Sequence, residues 1–234
     1  MRLTQKVHQH LETIVEAGET CIDATAGNGH DTLLMAQLVG PNGRVIAIDI
    51  QAQAIDATER RLAKANQLAV CELILGDHSE ELERLQATIE GTVRALTFNL
   101  GYLPGGDKHL ISIPEKTIQA LEASTRLLCS GGTLFVTAYR GHPGGELEAK
   151  QVEQWMDRFQ RAGWDIETHK PATQEIKSMP PILWIAKKPE ADRTGLSSFT
   201  SPSTTKCNVL VSPFVFLWAM VLDMRFLDCS SLSG

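Results

Sequence analysis

The sequence DATAGNGH, residues 23–30, lies between an apolar run that ends at Ile22 and a second apolar run, DTLLMAQLV, at 31–39. Glycine adopts backbone conformations that other residues avoid, so Gly27 and Gly29 let the chain turn sharply and approach a ligand closely. A strand, a glycine-containing turn and a helix form the pattern in which α/β proteins bind nucleotide-like ligands. A turn of this kind is also common without any ligand, so the rest of the chain must decide.

Apolar runs and helical patterns alternate along the chain on both sides of this turn. The predicted strands are 20–24, 44–50, 70–77, 93–102, 133–140, 164–170 and 182–188, and the predicted helices are 5–16, 30–39, 52–66, 79–87, 115–129 and 145–162. The helix at 115–129 is predicted to end at Ser130-Gly131-Gly132.

This alternation predicts a parallel sheet that is covered by helices on both faces. Right-handed crossovers then make the sheet doubly wound. The last two strands have no clear helix between them, so we expect them to pair as an antiparallel hairpin at the sheet edge. The predicted fold is therefore α/β, with a doubly wound, seven-stranded, mostly parallel Rossmann-like sheet.

The composition is that of an ordinary soluble domain with an acidic balance. The 234 residues are 43% hydrophobic and 21% charged, and the formal net charge is −6. This charge argues against a protein that holds nucleic acid by bulk electrostatics, although a basic rim that includes Arg60, Arg61 and Arg140 is compatible with RNA. The five cysteines are widely spaced and form no C-x-x-C pair. Neither a disulfide framework nor a metal site is predicted.

A single domain is predicted over residues 1–188, followed by an atypical tail over 189–234. The tail becomes strongly apolar at 207–222, but Pro213 interrupts this stretch, which is shorter than the roughly 20 residues of a membrane span. A membrane-associating tail, an oligomer contact and an aberrant, poorly ordered C-terminus are all compatible with the pattern. We favour the last of these and expect no association with a membrane.

A polar residue lies at or near the carboxyl end of each of the first four predicted strands: Asp23, Asp49, Asp77 and Asn99. In doubly wound sheets, ligands bind outside the carboxyl ends of the strands. Asp49 would accept both hydroxyls of a ribose there, and Asp77 would accept an adenine amino group with His78 packed beside it. Taken singly, Asp49 is equally a solvated strand end and Asp77 equally a helix N-cap. The four together predict a cofactor site.

The loop after the first strand distinguishes between cofactors. Its sequence G-N-G-H-D, residues 27–31, departs from the G-x-G-x-x-G of dinucleotide sites. Asp31 would repel a pyrophosphate at the helix start but would accept a hydrogen bond from the ammonium group of S-adenosylmethionine. We therefore predict S-adenosylmethionine as the cofactor. The residues from which this binding site is inferred are Asp23, Gly27, Gly29, Asp31, Asp49 and Asp77.

The segment FNLGYLPGGDK, residues 98–108, ends the fourth strand and is expected to face the substrate. It is similar to the Asn-Pro-Pro-Tyr loops with which N-methyltransferases hold an amine. Methyl transfer to nitrogen requires a lone pair that is aimed at the methyl donor. The Asn99 side-chain oxygen and the Leu100 carbonyl would accept the amine hydrogens, and Tyr102 would stack on a base. A simple Leu-Pro-Gly-Gly turn is the alternative interpretation.

Further substrate-binding candidates lie in this segment and in the loop after the fifth strand. They are Asp107 and Lys108 in the first, and Tyr139, Arg140 and His142 in the second. Histidine is the side chain best suited to accept a proton at neutral pH, so His142 is a candidate general base. A lone histidine is more often a surface or core residue, and that alternative stays open.

Six segments together identify the chain as similar to one family. They are DATAGNGHDT, IDIQ, GDHSE, NLGYLPGGDK, AYRGHPGGELE and SMPPILW. They resemble bacterial proteins first labelled rRNA methylases and now assigned as methyltransferases of 5-aminomethyl-2-thiouridine at tRNA wobble position 34, with plant and cyanobacterial relatives. The resemblance covers residues 4–188, and the tail departs from it.

The resemblance implies the class I methyltransferase fold and a cofactor pocket that also includes Asn28, Gln51, His78 and Asn99. It implies that the methyl acceptor is the exocyclic amine of the wobble uridine, in the anticodon region of tRNA, and that the protein is a homodimer. The N-terminus has no signal-peptide core, so we expect a cytoplasmic location, or an organellar stroma if the source is eukaryotic.

Two other functions remain compatible with the residues, and a third does not. The first is methylation of rRNA or of a small-molecule amine. The second is a non-catalytic module that binds S-adenosylmethionine, against which the amine-orienting loop argues. The third is a nicotinamide-dependent oxidoreductase, against which the loop spacing and Asp31 argue.

Overall fold

A computed structural model describes residues 2–101, 113–171 and 179–191. Strands and helices alternate along these residues, as the sequence pattern predicts. The strands are β1 (Thr20–Asp23), β2 (Arg44–Asp49), β3 (Cys71–Leu75), β4 (Val93–Leu100), β5 (Leu128–Ala138), β6 (Asp165–His169) and β7 (Ile182–Lys187). The helices are α1 (Leu3–Ile14), α2 (His30–Val39), α3 (Ala52–Lys64), α4 (His78–Ile89), α5 (Pro114–Leu127) and α6 (Gly145–Arg161). A short 3-10 helix at Leu68–Val70 precedes β3.

The strands form one mostly parallel sheet in the order β3-β2-β1-β4-β5-β7-β6. Strands β1 to β5 pair in parallel, whereas β7 runs antiparallel to both β5 and β6. The predicted antiparallel pair at the sheet edge is therefore confirmed. The structure adds that β7 inserts between β5 and β6, so that β6 forms the edge.

Each face of the sheet is covered by its own group of helices. Successive residues of a strand point to opposite faces of the sheet, and Cys21 and Ile22 of β1 accordingly belong to different apolar clusters. One cluster packs the sheet against α1, α2 and α3, and includes Val7, Leu11 and Met35. The other packs it against α4, α5 and α6. This two-sided burial explains why the central strands read as continuous apolar runs and confirms the doubly wound fold.

The glycine pair at 131–132 lies inside β5 and does not end a helix, so the sequence-based prediction was wrong here. Helix α5 stops at Leu127, and β5 begins at the next residue. The pairing with β4 shifts register between Val93 and Ala95, so β5 takes a longer path than β4 there. Gly131 has a φ of 73°, and a Cβ on Gly132 would lie 2.9 Å from the Val93 carbonyl oxygen. Glycine is needed for this irregularity and not for a loop.

The C-terminal strand β7 ends at Lys187, next to the predicted end of the domain at residue 188. Residues 192–234, including the apolar stretch 207–222, lie outside the described residues. The predicted division into a domain and a tail stays a prediction.

Candidate active site

The strand order reverses between β1 and β4, which is where a doubly wound sheet opens a crevice for ligands. The helix that follows β1 covers one face of the sheet, and the helix that follows β4 covers the other. A short hydrogen bond closes the base of the crevice, because the backbone N–H of Asn99 donates to Thr25 Oγ1 over 2.7 Å. The predicted cofactor turn and the predicted substrate strand are therefore direct neighbours.

The turn at the end of β1 has the conformation that its glycines predict. Gly27 has a φ of 55° and Gly29 a φ of 73°. A Cβ on Gly29 would lie 2.9 Å from the backbone of Thr58 on α3. Arg61 on the same helix donates from Nε to the Asn28 carbonyl over 2.5 Å. The turn is thus held against α3, and its glycines allow both the curvature and the close approach.

Replacing Gly29 with alanine is expected to destabilise the turn by about 1–3 kcal/mol, since a side chain is strained at this φ and would also meet Thr58. Thermal unfolding of the Gly29→Ala variant measures this loss. Gly18→Ala is the matched control, because Gly18 also has a positive φ of 91° but has open space around its Cβ position. Equal midpoints for the two variants would contradict the assigned role of the contact with α3.

Asp49 at the end of β2 is half-buried and joins two backbone segments of the site. Its Oδ2 accepts from the Gly27 N–H over 2.9 Å, and its Oδ1 accepts from the Gln51 N–H over 2.9 Å. Burial raises the pKa of this carboxyl group, and the backbone hydrogen bonds act in the opposite direction. The carboxylate therefore fixes the turn and keeps further lone pairs for the hydroxyls of a ligand. Gln51 is buried directly beside it.

Two further carboxyl groups lie close together under the turn. Asp23 is 1% exposed and accepts a 2.6 Å hydrogen bond from the Thr32 hydroxyl. Burial raises the pKa of Asp23, and the neighbouring negative charge of Asp31 raises it further. A phosphate placed here would add to this repulsion, whereas a cation would relieve it. The electrostatics favour a positively charged ligand, which agrees with the prediction from Asp31.

Asp31 connects the helix after β1 with the end of β4 and with the N-terminal helix. Its Oδ2 accepts from Asn99 Nδ2 over 2.9 Å, and its Oδ1 is 2.6 Å from His8 Nε2 on α1. The hydrogen bond with Asp31 raises the pKa of His8, although burial acts to lower it. Because an ionised carboxylate only accepts hydrogen bonds, the amide nitrogen of Asn99 must face Asp31. The amide oxygen then faces the opposite side.

Asp77 forms the N-cap of α4, which is the structural alternative that the sequence left open. Its Oδ1 accepts from the Ser79 N–H over 2.9 Å, and its Oδ2 accepts from Lys116 Nζ over 2.7 Å. Burial acts to raise the pKa of Asp77, but the hydrogen bonds from Lys116 and Ser79 outweigh it and lower the pKa to about 2. The neighbouring His78 packs edge-on against Phe98, and its Nε2 is buried without a hydrogen-bond partner among the described residues.

This lowered pKa predicts an acid-dependent loss of stability. An aspartate in an unfolded chain has a pKa of about 3.9, so ionised Asp77 stabilises the fold fully above that pH. The contribution is lost as the pH falls through the folded-state value of about 2. The Asp77→Asn variant keeps a capping side chain and should unfold below the wild-type temperature at pH 7, and this difference should shrink as the pH falls from about 4 toward about 2. Thermal melts across this range test it, with Glu83→Gln as the control on an exposed carboxylate of the same helix. A difference that does not shrink with acidity would contradict the account.

The acceptor side of the crevice is formed by the end of β4 and by the residues after β5. The Leu100 carbonyl accepts from the Tyr139 N–H over 2.9 Å, so it offers one remaining lone pair to a substrate. Tyr139 is 40% exposed. Arg140 donates to the Pro180 carbonyl over 2.8 Å, and His142 Nδ1 lies 3.0 Å from the Pro143 carbonyl. Tyr139 and His142 both border Gly101, directly after β4.

The predicted site residues thus fall into three groups. The following share the crevice or its rim: Asp23, Gly27, Asn28, Gly29, Asp31, Asp49, Gln51, Asp77, His78, Asn99, Leu100, Tyr139 and His142. Arg140 binds the backbone before β7. The predicted roles of Tyr102, Asp107 and Lys108 fall outside the described residues.

Two residues of the site were missed by the sequence analysis. His8 lies on α1, and its sequence HQH gives no sign of a partner 23 positions further along the chain. Lys116 lies in the first turn of α5, after the substrate segment, and its Nζ donates to Asp77. Both hydrogen bonds depend on how segments that are distant in sequence pack together, so no local sequence pattern predicts them.

Other features of the described residues do not compete with this crevice. A cavity of about 480 Å³ is lined by Gly91, Leu128, Ser130 and Trp164 together with 188–191. It lies at the amino ends of β4 and β5, opposite to the edge where such sheets bind ligands. In the described part of the chain no three His, Cys, Asp or Glu side chains are grouped to hold a metal ion. None of the described helices is long and apolar enough to cross a membrane.

A family model described as "Putative rRNA methylase" matches residues 45–187. The chain belongs to this rRNA methylase family. The resemblance drawn from the six sequence segments is therefore confirmed. A second model, of protein-L-isoaspartate O-methyltransferases, matches residues 2–83.

Similar proteins include one curated plant enzyme and two solved bacterial structures. The chain is 37% identical over 171 residues to the chloroplastic tRNA (mnm(5)s(2)U34)-methyltransferase of Arabidopsis thaliana, covering 70% of this chain and 62% of the relative. A Clostridium thermocellum "putative rRNA-methylase" is 35% identical with a TM-score of 0.70, covering 79% of this chain and 96% of that one. A Streptococcus mutans "putative methyltransferase" in complex with SAH is 29% identical with a TM-score of 0.68, covering 80% and 98%.

The similarity to these solved structures agrees with the seven-stranded sheet described above. This chain has the fold of class I S-adenosylmethionine-dependent methyltransferases. The chain spans about three fifths of the length of the first curated relatives that it matches.

Proposed function

We propose that this family member is an S-adenosylmethionine-dependent N-methyltransferase of RNA. Its proposed acceptor is the aminomethyl nitrogen of 5-aminomethyl-2-thiouridine at the wobble position, 34, of tRNA, and its product is 5-methylaminomethyl-2-thiouridine. One observation carries the proposal. The amide nitrogen of Asn99 is held by Asp31 at the end of β4, directly beside the glycine turn, which directs the amide oxygen away from Asp31.

The residues of the crevice fit the proposed cofactor. The Asp49 carboxylate lies between the Gly27 and Gln51 N–H groups, where it suits a ribose. The acidic pair Asp23 and Asp31 suits a ligand with ammonium and sulfonium charges. Residues at the end of β3, Asp77 and His78, are the proposed contacts of the adenine. The Streptococcus mutans neighbour in complex with SAH supports this assignment.

The residues at the end of β4 would orient the acceptor amine. S-adenosylmethionine, when bound, supplies an electrophilic methyl group on sulfur. The Asn99 oxygen and the remaining lone pair of the Leu100 carbonyl accept the two amine hydrogens, which directs the nitrogen lone pair toward the methyl group. Tyr139 lies beside this end of β4, where its backbone N–H donates to the Leu100 carbonyl and its side chain borders Gly101.

The acceptor amine must lose a proton before it reacts. Alkyl amines resemble lysine, whose pKa is about 10.4, so most of the acceptor is protonated at neutral pH. Transfer into the half-buried end of β4 disfavours the charged form and lowers the pKa of the amine. His142 at the rim is the candidate acceptor for this proton.

The choice of tRNA as substrate rests on the Arabidopsis relative, whose name specifies the wobble uridine. The family description names rRNA instead, so rRNA is the second candidate. We propose that the protein acts as a homodimer in the cytoplasm or, as for the chloroplastic relative, in an organelle stroma.

Transfer of labelled methyl groups to separate acceptors tests the proposed function. The acceptors are tRNA from cells that accumulate the aminomethyl precursor, rRNA, and the free aminomethyl nucleoside. We expect transfer to the tRNA alone, and this transfer should decrease steeply between about 50 and 200 mM salt because phosphate contacts are salt-dependent. Preferred transfer to rRNA or to the free nucleoside would show that the protein is a methyltransferase with a different acceptor from the one proposed.

A further inference from the structure

His8 is the second partner of the carboxylate that orients Asn99. Its Nε2 lies 2.6 Å from Asp31 Oδ1, and the Asp31 side chain is only 11% exposed. Hydrogen bonds to a charged group that is largely removed from water are among the strong ones in proteins. One oxygen of Asp31 is therefore fixed by α1, and the other oxygen is the one that accepts from Asn99 Nδ2.

Helix α1 packs tightly against the sheet, so the His8 side chain on it can hold the Asp31 carboxylate in a fixed position. Val7 and Leu11 on either side of His8 are 4% and 0% exposed. The other titratable groups that interact electrostatically with the His8–Asp31 pair are Glu12 on the same helix, His30 on α2, Asp23 at the end of β1 and Tyr139 after β5. Nε2 donates to Asp31 in the protonated ring and in one neutral tautomer alike, so the contact does not require a charged His8.

We propose that His8 is a positioning residue for the methyl transfer: acting through Asp31, it sets the orientation of the Asn99 amide and so of the acceptor nitrogen. This inference rests on the proposed function of the site. Without the His8 hydrogen bond, the Asp31 carboxylate keeps only the contact with Asn99 and loses its anchor on α1, so the Asn99 amide loses its fixed direction. A misplacement of about 1 Å in an orienting group costs about 100-fold in rate.

Steady-state kinetics of three variants test the role of His8. We expect His8→Ala to lower kcat about tenfold with little change in the KM for either substrate, because orientation is lost and not binding. His8→Gln retains an N–H that reaches toward Asp31, and we expect it to recover kcat to within about threefold. His10→Ala is the matched control, since His10 is on the same helix but packs against Phe135. A wild-type kcat for His8→Ala, or an equal loss in His10→Ala, would overturn the proposal.

A second measurement decides the matter without any turnover. In the ¹⁵N-labelled protein, the side-chain amide resonances of Asn99 are assigned by their absence from Asn99→Ala. We expect His8→Ala to shift them and to speed their exchange with water, and His10→Ala to leave them in place. Unmoved Asn99 resonances in His8→Ala would overturn the positioning role even if the enzyme methylates tRNA. Absence of methyl transfer by the wild-type chain would contradict the proposed function. The Asn99 resonances would still show whether His8 positions the Asn99 amide.

Discussion

Replacement of Asn99 by alanine is expected to abolish turnover while it weakens cofactor binding only partly. In the proposed mechanism the side chain contributes the oxygen that accepts an amine hydrogen, while its nitrogen donates to Asp31. Removal of one preorganised group of this kind costs about 100-fold to 1,000-fold in kcat. The backbone N–H of residue 99 still donates to Thr25, so the floor of the crevice is retained.

Measurement of kcat by methyl transfer, with cofactor affinity measured separately by calorimetry, tests this expectation. Asn66→Gly is the matched control, because Asn66 is exposed and its φ of 56° is one that glycine adopts freely. The control should keep full turnover. Turnover of Asn99→Ala at the wild-type rate would remove Asn99 from the mechanism.

Replacement of Asp49 by asparagine is expected to lower the affinity for S-adenosylmethionine about 10-fold to 100-fold. The two carboxylate oxygens accept from the Gly27 and Gln51 N–H groups. An amide in the same place must direct its own N–H₂ at one of these donors, which breaks one hydrogen bond to a charged group and distorts the turn. Each such bond contributes about 1.5–3 kcal/mol.

Calorimetric titration with S-adenosylmethionine and with its demethylated product measures the effect. Asp56→Asn provides the matched control, since Asp56 is an exposed carboxylate on α3, the helix that follows Asp49. We expect the control to bind like the wild type and Asp49→Asn to lose affinity for both ligands. Equal affinities in the two variants would show that Asp49 does not hold the cofactor.

Most of the fold follows from patterns that are local in sequence. Helix α1 is visible in the spacing of Val7 and Leu11, and the buried strands are visible as apolar runs because both faces of the sheet are covered. The glycine pair 131–132 misled the prediction, since a pair of glycines after a helix pattern usually ends the helix. Only the pairing with β4 shows that Gly132 allows a close approach to Val93.

Only the part of the candidate site that lies at the strand ends could be predicted from the sequence. Asp23, Asp49 and Asn99 follow apolar runs, and parallel strands bring such ends to one edge of the sheet. The direction of the Asn99 amide was not predictable, because it depends on Asp31 and on His8 from a helix far away in sequence. Contacts of this kind arise when separate elements pack, so they carry no local signature.

The central claim is that the crevice between β1 and β4 methylates the wobble-uridine amine. Nucleoside mass spectrometry of tRNA that accumulates the aminomethyl precursor, after incubation with the chain and S-adenosylmethionine, tests it most directly. The account predicts that 5-aminomethyl-2-thiouridine gains the mass of one methyl group and that Asn99→Ala leaves it unchanged. An unmodified precursor nucleoside, in the presence of measurable cofactor binding, would contradict the claim.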